Sequence, residues 1–123
     1  MIRFAGLICL LLSLFSGPAL ARSCIVPFIR TVDNQTVNGT MHVVSGKRCS
    51  IVLLRSAGPI LSTKVISRPS NGNVSINGGR VVYVSTARYI GDDHFTYIRQ
   101  GLNVVNQPIT RTINVKVKVL SQL

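Results

Sequence analysis

Few residues in this chain are of types that do chemistry. Asp92, Asp93 and His94 stand side by side, the one place where acids and a histidine cluster. Such a group could serve as an acid/base pair or hold a metal ion. A catalytic pair needs burial and further partners to shift its proton affinities, and the sequence names none. The structural reading is a capped turn that opens the strand through Phe95. Met41 and His42, with His94 as a third ligand, suggest copper, but a blue-copper centre takes a cysteine thiolate beside two histidines. Two histidines and three aspartates complete no triad with the many serines, and no Gly-x-Ser-x-Gly elbow is present. No catalytic residue, cofactor or metal ligand is assigned, and the chain reads as a non-enzyme.

The three cysteines separate into two groups. Cys9 lies in an N-terminal apolar run, while Cys24 and Cys49 lie beyond it. An even pair in an exported chain most simply forms a disulfide. Closing a loop of about 25 residues would stabilise the fold by roughly 3 kcal/mol through the entropy of the unfolded chain. The bond would tie the first strand to the second or third. Two free buried thiols or a metal pair are the alternatives, although no further zinc ligands sit nearby in sequence.

Charge is the remaining chemical signal. The chain of 123 residues has 14 Lys and Arg against three Asp and no Glu, a formal net charge of +11. A domain so basic attracts polyanions without a designed site. Lys116 and Lys118 share one strand face and, with Arg80 and Arg99, are the candidate anion-binding residues. Arg55, Lys64, Arg68, Arg88 and Arg111 are scattered through strands and loops. If several cations converge on one sheet face they form a patch for anionic glycan or lipid headgroups. If they spread evenly they only solvate the surface.

The elements that must position these residues are read from period-two alternation. The clearest stretch is 113–119, where Ile113, Val115, Val117 and Val119 alternate with Asn114, Lys116 and Lys118. That is a half-buried strand with a solvated basic face. Val74 and Ile76 lead through Asn77-Gly78-Gly79 into 81–84, a tight β-hairpin because Asn and Gly accept positive φ. Asn71-Gly72 marks a further turn. Residues 95–98 read as a strand, Gly101-Leu102-Asn103 as a turn, and Val104 and Val105 as the start of another strand. Earlier strands are expected at 25–29, with Pro27 at an edge, at 41–44 and 50–54 around Gly46-Lys47-Arg48, and at 62–66. About seven short strands spaced near ten residues apart, with no helical periodicity, predict an all-β sandwich.

Ahead of this domain, Arg3, the apolar stretch 4–15, the helix breakers Ser16, Gly17 and Pro18, and Ala19-Leu20-Ala21 follow the order of a secretory signal peptide. The apolar run is short for a bilayer span, which takes about 20 residues, though an uncleaved anchor helix is the alternative. Cys24 lacks the preceding residues of a lipoprotein box. Cleavage is expected after Ala21, giving a signal peptide over 1–21 and one domain over 22–123 that is secreted or periplasmic, with no transmembrane span after cleavage. Without Arg3 the net charge is +10. Asn34-Gln35-Thr36, Asn38-Gly39-Thr40 and Asn73-Val74-Ser75 fit glycosylation sequons and are read as turn residues.

Arg68-Pro69-Ser70-Asn71-Gly72-Asn73-Val74, then Tyr83, then Tyr89-Ile90-Gly91-Asp92-Asp93-His94-Phe95-Thr96-Tyr97 resemble the central strands of bacterial cadherin-like, immunoglobulin-type domains. The proline that usually follows the aromatic of the middle strand is missing here, where Val84 and Ser85 follow Tyr83. The resemblance covers about half of residues 22–123. It implies an immunoglobulin-like sandwich of about seven strands and a broad adhesion or interaction role, and it carries over no site. Some such domains hold calcium between repeats; three aspartates are too few for six to eight oxygen ligands. Independently of the resemblance, Gly91 permits a sharp turn, and Asp93 can fix the loop by accepting backbone N–H groups. Phe95 and Tyr97 point to one face and fill the core, the Tyr97 hydroxyl aiming at a backbone partner as in a tyrosine corner.

The expectation is an exported, non-catalytic binding or structural module of the cell envelope. Its partners would be anionic polysaccharide, lipid headgroups or another envelope protein, rather than nucleic acid. The alternatives are a small enzyme using His94 and Asp93 in one cleft or an enzyme inhibitor presenting residues 56–61 or 99–108, in the same compartment, and a secreted host-interaction factor.

Overall fold

The structure, a computed structural model, describes residues 22–56 and 58–123. The expected signal peptide, its cleavage position and Cys9 lie outside the described residues. These contain eight strands and no helix: β1 Cys24–Ile25, β2 Thr36–Val44, β3 Arg48–Val52, β4 Ile60–Ser67, β5 Gly72–Asn77, β6 Arg80–Ser85, β7 Gly91–Leu102 and β8 Pro108–Leu120. They form a five-stranded sheet in the order β1-β2-β8-β7-β4 and a three-stranded sheet in the order β3-β6-β5. β2 runs parallel to β8, and the other pairings are antiparallel.

Alternation builds the core. Along β8, Ile109, Arg111, Ile113, Val115, Val117 and Val119 are all buried, and the residues between them are not. β7 presents Asp93, Phe95, Tyr97 and Arg99 inward in the same way. Met41 and Val43 of β2 extend this layer, and Cys49, Ile51, Val74, Val81 and Tyr83 of the smaller sheet face it. Tyr83 and Phe95 stack with centroids 5.9 Å apart and planes 8° apart, and Phe95 continues to Tyr97 at 6.3 Å. Burying each such ring contributes about 1.5–3 kcal/mol, and each offset ring pair adds about 0.5–1.5 kcal/mol.

Cys24 and Cys49 are joined in a disulfide with their Cα atoms 5.7 Å apart. Because β1 belongs to the larger sheet and β3 to the smaller, the bond ties one sheet to the other. The β5–β6 hairpin turns over Gly78-Gly79, with Gly78 at φ 61°.

The strands differ from the sequence expectation at several places. Thr36, Asn38, Gly39 and Thr40 lie in β2 and Asn73, Val74 and Ser75 in β5, where the sequons were expected to be turns, and β3 ends at Val52 rather than at 54. Of the expected 25–29 strand only Ile25 pairs with β2, together with Cys24 before it. Pro27 has no N–H to extend that ladder, and the chain beyond it crosses the open end of the sandwich, where Ile29 covers Gly39 so closely that a Cβ there would lie 2.6 Å from the isoleucine Cδ1. The last hairpin also turns later than its glycine suggests. Gly101 and Leu102 remain in β7, paired with Ile109 and Pro108, and Val104 and Val105 sit at an exposed tip rather than in a strand. Asn103 makes this turn: its Oδ1 accepts the N–H groups of Val105 (3.0 Å) and Gln107 (2.9 Å), while Asn106 takes φ 66°.

Candidate functional site

The two sheets are unequal, and the first candidate site follows from that inequality. β7 and β8 run on past the end of β3, so their inward positions Arg99 and Arg111 lie at the mouth of the sandwich, opposite each other in register. Residues 26–31 form one wall there and residues 50–54 the other. Between them is a cleft of about 410 Å³ whose lining includes Tyr97, Arg99 and Arg111. Phe28 at its rim is 77% exposed, and Val52 and Leu54 are also exposed.

The two arginines are treated differently. Arg111 donates from Nε (3.0 Å) and Nη2 (2.6 Å) to Oδ1 of Asp33. Arg99, 7% exposed, donates from Nη2 to the carbonyl of Leu54 at 2.5 Å. Its Nε is buried with no hydrogen-bond partner among the described residues. Burial pushes the Arg99 guanidinium below its ordinary range, against a counteracting pull from Tyr97 and with a further push from the Arg111 charge. Burial likewise raises the Tyr97 phenol to about 12, with Arg99 opposing that rise.

The second candidate is the outer face of the larger sheet, where the register stacks side chains in rows. One row is His42, Lys118 and Asp92; the next is Thr40, Lys116 and His94; the third is Asn38, Asn114 and Thr96. In the third row Thr96 Oγ1 donates to Asn114 Oδ1 at 2.7 Å. The face is therefore polar, with two lysines, two imidazoles and the Asp92 carboxylate at one end and amides and hydroxyls beside them.

The four cations singled out from the sequence do not converge. Lys116 and Lys118 stand together on the outer face. Arg80 is exposed at the start of β6, on the other sheet. Arg99 is a correction: it is inside, not on the surface. The parity of β7 places it with Phe95 and Tyr97, and the same parity places Arg111 with Ile109 and Ile113. Extending each apolar alternation by one position would have located this pair, because a strand does not change face when the residue type changes.

Asp93 and His94 are also parted by parity. Asp93 is 5% exposed and faces the core, whereas the His94 side chain faces outward. Asp93 accepts from the backbone N–H groups of Ser70 (3.0 Å), Asn71 (3.1 Å) and His94 (2.9 Å) and from the Tyr83 hydroxyl (2.8 Å). It thereby fixes the 68–71 turn against β7. The buried phenol with a hydrogen-bonded partner is that of Tyr83; among the described residues Tyr97 forms no such bond. Burial first and the Asp93 bond second push the Tyr83 phenol well above its usual range. Gly91, at φ 142°, starts β7 where Tyr89 folds back to donate to the Asp92 carbonyl at 2.6 Å.

Among the described residues no three His, Cys, Asp or Glu side chains come close enough to share a metal ion, and no helix is long and apolar enough to cross a membrane. Set against known protein families, curated proteins and solved structures, the chain matches none.

Proposed function

We propose that this protein is an exported binding module of the cell envelope that uses the outer face of its larger sheet to hold an anionic polysaccharide. The observation that carries the reading is the register of Lys116 between Thr40 and His94 and of Lys118 between His42 and Asp92, with the Asn38, Asn114 and Thr96 row alongside. Ammonium groups meet the anionic substituents of a glycan, and amide and hydroxyl groups meet its hydroxyls. Lys116 is opposed by Thr40 and His94 and keeps most of its field for a partner, whereas Lys118 shares its row with Asp92, which offsets part of its charge. The Asn38, Asn114 and Thr96 row beside the lysines supplies amides and a hydroxyl rather than an apolar surface, which favours glycan over headgroup.

The immunoglobulin-like identity of the domain belongs to the same proposal. It is supported by strand order: β3, β6 and β5 in one sheet and β8, β7 and β4 in the other match the partition of second, fifth and fourth against seventh, sixth and third strands in that fold when β2 is counted as the first strand and β1 as an added strand antiparallel to it. The leader-like residues 1–21 and the Cys24–Cys49 disulfide support export.

The test is retention of the processed protein on immobilised polygalacturonate and dextran sulfate, with neutral dextran and anionic phospholipid vesicles as comparisons. Retention on both polyanions, weakening as salt rises, is expected. Lys116→Gln with Lys118→Gln should abolish it, and Arg80→Gln should leave it unchanged. Equal retention on neutral dextran, or binding to the vesicles alone, overturns the reading.

A further inference from the structure

The floor of the cleft at the mouth of the sandwich contains an electrostatic imbalance. Two like charges directly opposite on one sheet face repel, and taking each from water costs several kcal/mol unless partners satisfy it. Arg111 has the carboxylate of Asp33. Arg99 has one carbonyl, although a guanidinium carries five N–H donors in a fixed planar fork. Among the described residues no carboxylate pairs with it, and its buried Nε donates to nothing. With Asp33 offsetting Arg111, the floor keeps one positive charge without a counter-charge.

The walls indicate what else the occupant must offer. Val26, Ile29 and Leu53 line the cleft, and Phe28, Val52 and Leu54 continue it to the surface as exposed apolar groups. A volume of about 410 Å³ lies within the range of small-molecule sites, which are mostly apolar with a few placed polar groups. The Arg99 charge on the floor, with Arg30 in the wall, calls for an anionic head. The planar fork of a guanidinium matches a carboxylate. The apolar path outward calls for a hydrocarbon chain behind that head.

We propose that this cleft binds an aliphatic carboxylic acid, its carboxylate on the Arg99 guanidinium and its chain lying along Leu54, Val52 and Phe28. The site is separate from the polar outer face and does not depend on glycan binding there.

Calorimetric titration of the processed protein with dodecanoate, below the concentration at which it forms micelles, tests this. Dodecanol, dodecyltrimethylammonium and acetate serve as comparisons. Dodecanoate should bind one-to-one and at least tenfold more tightly than dodecanol, acetate should bind far more weakly, and the ammonium should not bind. Arg99→Gln should erase the preference for dodecanoate over dodecanol, and Arg99→Lys should restore part of it. Should Arg99→Gln fail to fold, amide and guanidinium NMR signals of the unaltered protein decide: dodecanoate should shift Arg99 Nε–H and the 52–54 amides. Absence of binding, equal affinity for acid and alcohol, shifts confined to the Lys116 and Lys118 strand face, or dimer formation without a bound acid overturns the proposal.

Discussion

Tyr83 and Asp93, ten residues apart on opposite sheets, meet inside the protein through a 2.8 Å hydrogen bond from the phenol to Oδ2. The carboxylate also holds the Ser70, Asn71 and His94 backbone N–H groups, so one side chain links the smaller sheet, the turn before β5 and its own strand. Removing it strands several donors in a water-poor site, and each buried unsatisfied group costs about 1–3 kcal/mol. Asp93→Ala should destabilise the domain by about 3–5 kcal/mol in urea unfolding followed by circular dichroism. Tyr83→Phe, which deletes a single donor, should cost about 1 kcal/mol. Equal losses for the two variants would contradict this division of roles.

Alkali should find the same region. The Tyr83 and Tyr97 phenols are both raised by burial, Tyr97 to about 12. A raised folded-state value means the native protein keeps a proton that the unfolded chain releases from about pH 10 upward. Stability is therefore fully present below pH 10 and falls as pH climbs through the Tyr97 value, by about 2–3 kcal/mol at pH 12 for that residue alone. Urea midpoints measured between pH 8 and 12 should stay level and then drop, and tyrosinate absorbance from these two rings should rise together with unfolding.

The disulfide has a different signature. It joins β1 to β3 over a separation of 25 residues, so its main action is on the unfolded chain, and reduction should cost roughly 3 kcal/mol. Because β1 makes only a two-residue ladder with β2, the loss should come with faster hydrogen exchange at residues 24–31. A reduced protein that keeps both its midpoint and its exchange pattern would show that packing alone holds this segment.

What the sequence made legible was set by local rules. Alternation from Ile113 to Val119 and the Asn77-Gly78-Gly79 turn each act through neighbours, and both stand in the structure as β8 and the β5–β6 hairpin. The pairing of β2 with β8 in parallel was not legible, because no local residue encodes which strand lies beside which. Nor was the shift of the last hairpin to residues 103–107: Gly101 is a turn former by propensity, yet its pairing with Ile109 and the Asn103 side-chain bonds outweigh that preference. The rows on the outer face needed the register as well as the alternation. Arg99 was visible as a cation but not as an interior one, since residue type was weighed there before parity.

Gly91 shows how narrow the backbone tolerance is at the start of β7. Its φ of 142° is disfavoured for residues with a Cβ, and a Cβ built there would stand 2.9 Å from the Tyr89 hydroxyl. Gly91→Ala should therefore displace Tyr89 from the Asp92 carbonyl and destabilise the domain by about 1–3 kcal/mol. Adding Tyr89→Phe should recover part of the loss, because it removes the oxygen that the new methyl meets. If the pair of changes proves fully additive, the cost lies in the backbone torsion alone.

The cleft arginines lead to an inverse expectation. A buried charge replaced by an apolar side chain of similar volume often leaves a protein as stable or more so. Arg99 fits that case: it faces Arg111, is largely buried, and has one main-chain carbonyl while its buried Nε donates to nothing among the described residues. Arg99→Met should therefore raise the ligand-free stability by about 1 kcal/mol, while freeing the Leu54 carbonyl to take water. Arg111→Met should lower it by about 1–2 kcal/mol, since it severs the tie between Asp33 and β8 that anchors the N-terminal segment. Thermal unfolding of both variants in buffer free of aliphatic acids measures the two signs. A loss at Arg99 as large as that at Arg111 would make the Leu54 bond its purpose, and the uncompensated charge in the cleft would then be a cost the fold bears to hold that loop.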